Sequence, residues 1–208
     1  MRHNPAYACT DPEAVRELIE ANPWATLVSA TDRAGGNGGL VASHYPILLD
    51  PEAEQLTILT HLGRPDEELH GLGEGEMLVV VQGEHGYVSP SWYAPGATRA
   101  PTWNFSVAHL YGVPEVLSEE ENLRTLTRLV ERFERHVEKP MYLDPEWATP
   151  FARGTVGIRL RADRFVCKRK LSQDKDPVSR RNVVARLRAP GPYRHPALAD
   201  EVERELRP

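Results

Sequence analysis

Apolar and polar residues alternate over several short stretches of the chain, which is the pattern of half-buried β-strands. This pattern predicts strands over 25–31, 40–49, 56–61, 77–83 and 103–117, and a strand pair within 154–168. The stretch at 77–83, MLVVVQG, is almost continuously apolar and predicts a strand buried on both faces, as in a barrel wall. The polar segment GGNGG at 35–39 predicts a flexible turn between the first two strands.

Other stretches carry apolar residues at helical spacing and begin with capping signals. Thr10-Asp11-Pro12-Glu13 predicts a helix over 11–21, and Ser118-Glu119-Glu120-Glu121 predicts the start of a long amphipathic helix. Shorter helices are predicted within 63–76, over 178–187 and over 196–206. The apolar face of the long helix consists of Leu123, Leu126, Leu129, Val130 and Phe133.

The order of these elements predicts the fold class. Strands do not alternate regularly with helices, which argues against a doubly wound parallel sheet. Short strands joined by short turns favour a mainly β fold with peripheral helices, an antiparallel β-barrel closed on itself. We expect one domain over residues 1–208, with a helical C-terminal extension from about residue 176.

The distribution of apolar residues and cysteines indicates the compartment of the protein. No apolar run reaches the ~18 to 20 residues that a membrane helix needs, and the first residues lack an apolar signal core. We therefore expect a cytoplasmic protein without a membrane partner. Cys9 and Cys167 lie far apart in the sequence, and two unpaired thiols are expected in that compartment.

The net charge of −5 is unevenly distributed. Residues 168–188 contain eight Lys or Arg and two Asp, a net charge of +6, so the remaining residues carry −11. Such a tract can contact phosphate or nucleic acid. It can equally be a solvated helix paired with acidic residues of the same chain, and this second interpretation is favoured.

Aromatic side chains and prolines are concentrated in a segment that leads into the strand at 103–117. Pro90, Pro95 and Pro101 restrict the backbone around Trp92, Tyr93 and Trp103. Flat rings among short polar side chains suit the binding of a planar heterocycle. An Ω-like loop packed by its own aromatic residues is the other interpretation, and composition alone favours it.

Polar groups recur where successive strands end. Ser43 and His44 lie in one predicted strand, Thr60 and His61 end the next with Arg64 close behind, and Gln82 ends the apolar strand. Hydroxyl groups and one fork-shaped cation are typical of a phosphate site. Taken singly, each residue is better explained as a turn hydroxyl or a surface cation, and only the recurrence at successive strand ends favours a phosphate site.

Other chemistries have little support in the sequence. The histidines lie on different predicted elements without the spacing of a zinc site, so no metal ligands are predicted. No GxSxG motif is present, and no catalytic residue is predicted. The segment KRKLSQDK, which follows the last strand, offers cations, a hydroxyl and an amide, or is an exit turn that caps the next helix.

Three motifs in order resemble one known family. VQGEHGYVSPSWYA, PTWNF and KLSQ, together with the opening helix, ATLVSAT and SHYPILLD, resemble the PaiB-type FMN-binding negative transcriptional regulators over about residues 5–190. The resemblance implies an FMN-binding split β-barrel, usually a homodimer with FMN at the dimer interface. The chain departs from the family pattern in LGRPDEE after His61 and in Asp174-Lys175 after KLSQ, which place acidic residues near the expected phosphate.

The resemblance also implies roles for individual residues. Ser43 and His44 would run beside the flavin, Thr60, His61 and Arg64 would lie at its phosphate, and Gln82 would contact the ring or ribityl chain. The pocket would be closed by Trp103, Asn104, Lys170, Leu171, Ser172 and Gln173, from the partner subunit.

Three functions agree with these features. In the first, FMN is a sensor or structural ligand of a transcriptional regulator. In the second, the same barrel is a flavin-dependent oxidoreductase of the pyridoxamine-oxidase or flavin-reductase kind. The fold alone does not decide whether such a barrel is an enzyme. The third is direct DNA binding through the basic tract, although the sequence has no helix-turn-helix signature and a regulatory protein partner is also possible.

Overall fold

The computed structural model describes residues 1–31, 39–97 and 100–205. These residues form ten β-strands and six α-helices, with 3-10 turns at Pro5–Tyr7 and Pro90–Trp92. The strands are β1 (Ala8–Cys9), β2 (Trp24–Ala30), β3 (Leu40–Pro46), β4 (Leu48–Leu49), β5 (Thr57–Gly63), β6 (Met77–Val88), β7 (Thr102–Gly112), β8 (Glu115–Val116), β9 (Thr155–Arg161) and β10 (Arg164–Lys170). The helices are α1 (Pro12–Ala21), α2 (Asp66–His70), α3 (Glu119–Glu134), α4 (Pro145–Ala152), α5 (Pro177–Arg188) and α6 (Pro196–Arg204).

The strands form two sheets, one with the order β1-β10-β7-β6-β2-β3 and one with the order β4-β5-β9-β8. Strand β2 pairs antiparallel with β3, from Trp24 opposite Pro46 to Ala30 opposite Leu40. Strand β5 pairs antiparallel with β9 from Thr57 to Gly63. Strands alternating antiparallel in this way need only short connections, which is the arrangement expected from the sequence.

The chain divides into two compact units, each assembled from separate stretches of sequence. The first unit consists of residues 1–18, 82–108 and 166–208, and the second consists of residues 19–81 and 109–165.

The first unit has an apolar core beneath its two C-terminal helices. Helix α5 is capped by Asp176, whose carboxylate accepts from the N–H groups of Val178 and Ser179. A buried hydrogen bond of 2.6 Å joins the Ser106 hydroxyl to the Glu201 carboxylate. The apolar residues buried in this core are Val88, Tyr93, Leu171, Val183, Val184, Leu187, Leu198, Ala199 and Val202. Both predicted C-terminal helices are present, and they contribute six of these residues.

The second unit has its apolar core on strands β2, β5 and β9. The alternating side chains Val156, Ile158 and Leu160 of β9 are all buried, as the sequence pattern predicts. Helix α3 begins with the predicted capping box, in which Ser118 and Glu121 bond each other's backbone N–H groups. These local signals were therefore sufficient to predict the strand and the start of the helix.

One arginine of β9 connects β8, helix α3 and the turn after β4 in the second unit. The Arg159 guanidinium contacts the carboxylates of Asp50 at 3.1 Å, Glu115 at 3.3 Å and Glu121 at 3.4 Å. Asp50 is buried, with 5% of its surface exposed. Arg159 therefore neutralises a carboxylate that burial would otherwise disfavour.

Several predicted elements differ from the structure. The predicted strand over 40–49 is two strands in different sheets, because Pro46 has no N–H and the Ile47 N–H bonds to Pro23 O at 2.7 Å. Strand β6 is longer than predicted, and its two faces differ, with Met77, Val79 and Val81 buried while alternate residues are partly exposed. The expectation of burial on both faces was therefore wrong.

Two errors concern helices. Phe133, predicted on the buried face of α3, is 44% exposed, whereas the polar Asn122 and Thr125 are buried there. Helix α4 was missed, although Asp144-Pro145-Glu146 is an N-terminal signal and the Asp144 carboxylate accepts from two backbone N–H groups. The predicted turn at 35–39 falls mostly outside the described residues.

Within residues 1–31, 39–97 and 100–205, none of the helices is long and apolar enough to cross a membrane. In the same residues, no group of three or more His, Cys, Asp or Glu side chains is placed to hold a metal ion.

Candidate functional site

The site residues predicted from the sequence fall into two groups, one in each unit. Gln82, Trp103, Asn104 and Lys170–Gln173 belong to the first unit. Ser43, His44, Thr60, His61 and Arg64 belong to the second unit.

The first unit contains a polar cavity of about 210 Å³. It is lined by Tyr7, Tyr93, Ala100, Pro101, Thr102, Asn104, Lys170, Ser172, Asp174 and Lys175. Three of these residues, Asn104, Lys170 and Ser172, were predicted as site residues. Tyr93 was expected as a flat ring and Asp174 near the phosphate, although neither was predicted as a site residue. Tyr7 was missed, because it comes from the opposite end of the chain and the pattern around 170–173 does not indicate which neighbours face the same space.

A tight turn after β10 positions the Lys170 and Ser172 side chains. The Leu171 N–H donates to Gln173 Oε1 at 2.6 Å, and Gln173 Nε2 donates to Arg169 O at 2.6 Å. Leu171 itself is fully buried in the apolar core. Leu171 and Gln173 therefore hold the turn, and their neighbours in sequence face the cavity.

Ser172 has an unusual backbone conformation, with φ at +63°. Left-handed backbone is unfavourable for residues with a Cβ atom. Asn104 stabilises it here, because Asn104 Nδ2 donates to Ser172 Oγ at 2.9 Å and the Ser172 hydroxyl lies 3.2 Å from Asn104 Oδ1. Both side chains are almost completely buried. PTWN and KLSQ, far apart in sequence, are thus joined at one point.

The cavity carries more positive than negative charge. Lys170 Nζ donates to Trp103 O at 3.1 Å and to the Thr102 hydroxyl, and burial lowers the pKa of this lysine despite the opposing effect of Asp174. Lys175 pairs with Asp174 at 2.8 Å. Burial is the largest single effect on Asp174 and disfavours its charged form, but the hydrogen bond and charge of Lys175, together with a hydrogen bond from Tyr7, outweigh burial and lower the pKa of the carboxyl group. The acidic residue at the end of KLSQD is therefore neutralised locally.

Two tyrosines complete the polar lining. Burial, followed by the charge of Asp174, raises the pKa of Tyr7 to about 12, so its hydroxyl remains a hydrogen-bond donor. Burial also raises the pKa of Tyr93, whose hydroxyl is buried and makes no hydrogen bond within the described part of the chain. A buried hydroxyl without a partner is costly, so this one is available for a ligand. Two ammonium groups, four hydroxyls and an amide suit an oxyanion.

An aromatic group lies on the same unit. Trp103 is 55% exposed, and its ring centroid lies 6.4 Å from those of His85 and Tyr87. Tyr87 in turn contacts Tyr193 at 5.1 Å. The predicted residue Gln82 bonds to His85 Nδ1 at 3.2 Å. Exposed flat rings beside polar edges are suited to stacking with a planar ligand.

In the second unit, two predicted hydroxyls are engaged within the protein. Thr60 is fully buried and donates to Pro46 O at 2.6 Å. Ser43 Oγ lies 3.0 Å from His70 Nε2, and His70 Nδ1 lies 2.9 Å from Ser29 Oγ. His70 is buried, and this burial lowers its pKa. Neither hydroxyl is therefore positioned as a free donor, and their predicted role at a flavin stays a prediction.

The remaining predicted residues of the second unit make varied contacts. His44 Nδ1 lies 3.0 Å from the Thr26 hydroxyl. Burial lowers the pKa of His61, whose Nδ1 is buried and makes no hydrogen bond within the described residues. Arg64 pairs with Glu67 and donates to Arg153 O at 3.1 Å. The guanidinium expected at a phosphate is therefore partly neutralised by an acidic residue of LGRPDEE.

Arg64 also borders a second cavity, of about 380 Å³, which was not predicted. Apolar residues form much of its lining, and two arginines and two glutamates contribute charge. The residues that line it are Arg64, Val116, Leu117, Glu119, Glu120, Asn122, Leu123, Thr149, Ala152, Arg153, Thr155, Val156 and Gly157. Because the missed helix α4 supplies Thr149 and Ala152, the sequence interpretation could not have included this space.

Antiparallel sheets with peripheral helices, a cationic polar cavity and adjacent aromatic rings together describe a flavin-binding split barrel. Comparison with known proteins agrees with this class. Residues 1–164 match the sequence family described as "Putative FMN-binding domain". The chain belongs to this family, so the predicted resemblance and the predicted cofactor, the flavin FMN, are confirmed.

One curated relative covers most of the chain. The "Protease synthase and sporulation protein PAI 2" of Bacillus subtilis is 27% identical over 186 residues, which cover 87% of this chain and 86% of the relative. This match covers more of the chain than the family match over residues 1–164. It agrees with the PaiB-type resemblance found in the sequence.

Solved structures confirm the fold class. The FAD and heme binding protein from Mycobacterium smegmatis matches with a TM-score of 0.58 at 20% identity, over 79% of this chain and 73% of that chain. The flavocytochrome Anf3 from Azotobacter vinelandii matches with a TM-score of 0.61 at 17% identity, over 81% and 72%. The predicted antiparallel split β-barrel with peripheral helices is therefore the fold of this chain.

Proposed function

We propose that this protein is a regulatory FMN-binding protein in which the polar cavity of the first unit holds the phosphate end of the flavin. The observation that carries the proposal is the combination of Lys170, Lys175 and Ser172 with the unpartnered hydroxyl of Tyr93. A phosphate group offers acceptors to each of these donors. FMN bound here would supply a redox-active ring, while the residues described would orient and hold its charged end.

The size of the cavity agrees with partial enclosure of the flavin. At about 210 Å³ it lies below the ~300 to 1,000 Å³ of pockets that bury a whole drug-sized ligand. The ring would therefore extend out of it, and the exposed Trp103 and Tyr193 are surfaces on which a ring could stack. We propose, with the sequence expectation, that a second copy of the chain covers the ring in a homodimer.

Titration of the apo protein with FMN tests the location of the phosphate. Lys170→Met should weaken binding by about 10- to 150-fold, because a charge-assisted hydrogen bond contributes about 1.5 to 3 kcal/mol. Lys139→Met, which removes an exposed lysine of the second unit, should leave the dissociation constant unchanged. Flavin fluorescence quenching gives the constants, and light scattering with and without FMN gives the oligomeric state.

The Arg64→Ala variant distinguishes the two groups of predicted residues. If Arg64→Ala weakens FMN binding while Lys170→Met does not, the phosphate lies in the second unit and the assignment to the first unit is wrong. If both variants bind like the wild type, neither group holds the phosphate. Riboflavin, which lacks the phosphate, should bind wild type and Lys170→Met with equal affinity.

The regulatory part of the proposal comes from the family resemblance and from the relative named for protease synthesis and sporulation. The basic tract does not support direct DNA binding, because several of its charges are paired within the first unit. Arg188 contacts Asp200 at 2.5 Å and Glu203 at 2.9 Å, and Arg169 contacts Glu205 at 3.3 Å. Regulation through a protein partner or through bound flavin is therefore favoured.

Two assays would overturn the regulatory assignment. Steady oxidation of NADH or NADPH in the presence of FMN would identify an oxidoreductase instead of a sensor. A mobility shift with DNA that weakens steeply with added salt would identify direct phosphate contact and contradict the pairing argument. We expect neither signal from the FMN-loaded protein.

A further inference from the structure

The only two cysteines of the chain are direct neighbours across a pair of strands. In the antiparallel pair of β1 and β10, Cys9 lies opposite Cys167 and Ala8 lies opposite Lys168. Both residues are free thiols, Cys9 partly exposed and Cys167 with 4% of its surface exposed. This proximity could not be predicted from the sequence, because the N-terminal strand has two residues and no pattern of its own.

The register brings the two thiols within bonding range. Directly opposed residues in an antiparallel pair have Cα atoms about 4.5 to 5.5 Å apart, and their side chains lie on the same face. Disulfides span Cα separations of about 4.4 to 6.8 Å. Oxidation would therefore require little backbone movement, in contrast to two cysteines that merely share a region of the fold.

We propose that Cys9 and Cys167 form a reversible dithiol–disulfide site that reacts with peroxides. In the first step, the Cys9 sulfur attacks one peroxide oxygen, the O–O bond breaks, and a sulfenic acid and water form. In the second step, the Cys167 sulfur attacks the Cys9 sulfur, the S–O bond breaks, and a second water leaves. The two sulfurs together lose two electrons to the peroxide, and external thiols restore the starting state.

The surroundings assign different roles to the two cysteines. Cys9 is the more accessible, so it meets the oxidant first. Burial and the neighbouring Cys9 raise the pKa of Cys167 to about 12, which keeps its thiol protonated at neutral pH. Since the thiolate is the nucleophile, bond formation by Cys167 should be the slow step and should accelerate as the pH rises.

The disulfide would fix an edge strand that reaches the polar cavity. Tyr7 lies two residues before Cys9, lines the cavity, and places its ring 6.0 Å from Lys170 Nζ. A strand of two residues is a weak attachment, and a covalent bond to β10 would hold it in place. An effect on FMN release would follow only if the proposed function is correct, whereas formation of the disulfide does not depend on it.

The test uses the full chain without FMN, treated with hydrogen peroxide and compared with untreated protein. Intact-mass measurement should show the loss of two hydrogen atoms, and peptide mapping should find Cys9 joined to Cys167. Dithiothreitol should reverse both changes. Cys9→Ser and Cys167→Ser are the matched controls, and neither should lose two hydrogen atoms within one chain. Hydrogen exchange at residues 6–9 should slow at least tenfold on oxidation.

Other outcomes would overturn the proposal. A sulfinic acid on Cys9 without the crosslink would show that Cys167 does not reach it, and disulfide-linked dimers would show that the bond forms between chains. Unchanged exchange at residues 6–9 would contradict the attachment of the N-terminal strand. If the crosslink forms while FMN fails to bind the protein under any condition, the proposed function is wrong and the thiol site stands.

Discussion

Replacing Ser172 by alanine and by glycine separates the two physical effects that hold the turn after β10. Both changes delete the hydroxyl and leave the buried Asn104 amide short of its partner at 2.9 Å, which costs about 1 to 3 kcal/mol. They differ in the backbone, because φ at position 172 is +63°. Left-handed backbone costs a residue with a Cβ atom about 1 to 2 kcal/mol, whereas glycine adopts it without this cost.

Two opposing contributions set the difference in the free energy of unfolding between the alanine and glycine variants. Glycine loses about 0.4 to 1 kcal/mol relative to alanine because its unfolded chain is more flexible. The cost of left-handed backbone that glycine avoids is larger than this loss. Ser172→Gly should therefore be more stable than Ser172→Ala by about 0.5 to 1 kcal/mol. Elsewhere in strands and helices the order is reversed.

Urea unfolding of the apo protein, followed by tryptophan fluorescence, measures both variants, and equal m-values confirm that the transitions are comparable. Asn104→Ala combined with Ser172→Gly completes a double-mutant cycle, and a coupling of about 1 kcal/mol is expected for the lost pair. An alanine variant as stable as the glycine variant would refute the argument from backbone conformation. Additive effects in the cycle would refute the hydrogen-bond argument.

Three further predictions concern the second unit. Gly157→Ala should destabilise the protein by about 1 to 3 kcal/mol in urea unfolding, because its Cβ atom would lie 2.8 Å from Asn122 Oδ1 and 3.0 Å from Asn122 Cα. Burial lowers the pKa of His70 below its unfolded value of about 6.5, so this residue's contribution to stability should be constant above that pH and decline as the pH falls towards the folded pKa. His70→Gln should flatten the decline in unfolding free energy between about pH 7 and pH 5, and an unchanged slope would contradict this assignment. Arg159→Met leaves a buried carboxylate unpaired and should cost about 3 kcal/mol, whereas Arg164→Met breaks an exposed pair and should cost less than about 1 kcal/mol by thermal or urea unfolding.

The candidate site shows where prediction from the sequence stops. Asn104, Lys170 and Ser172 could be named from PTWN and KLSQ, because these motifs match a known family as local strings. Tyr7 could not, because the strand register at the N-terminus and the turn after β10 determine which side chains face one space. Thr60 and Ser43 are correctly placed on strands, but their hydroxyls bond within the protein, and a strand pattern contains no information about such partners.

The sequence by itself determined the elements whose signals are local. Capping residues fixed the start of α3, the alternation of apolar residues fixed β9, and the order of strands and helices fixed an antiparallel barrel, since each of these depends on neighbours within a few residues. The tertiary structure alone decided that the chain passes between sheets at Ile47, that Phe133 stays exposed, and that Cys9 meets Cys167. Those outcomes depend on contacts between residues far apart in the chain, and one register among many possible pairings selects them.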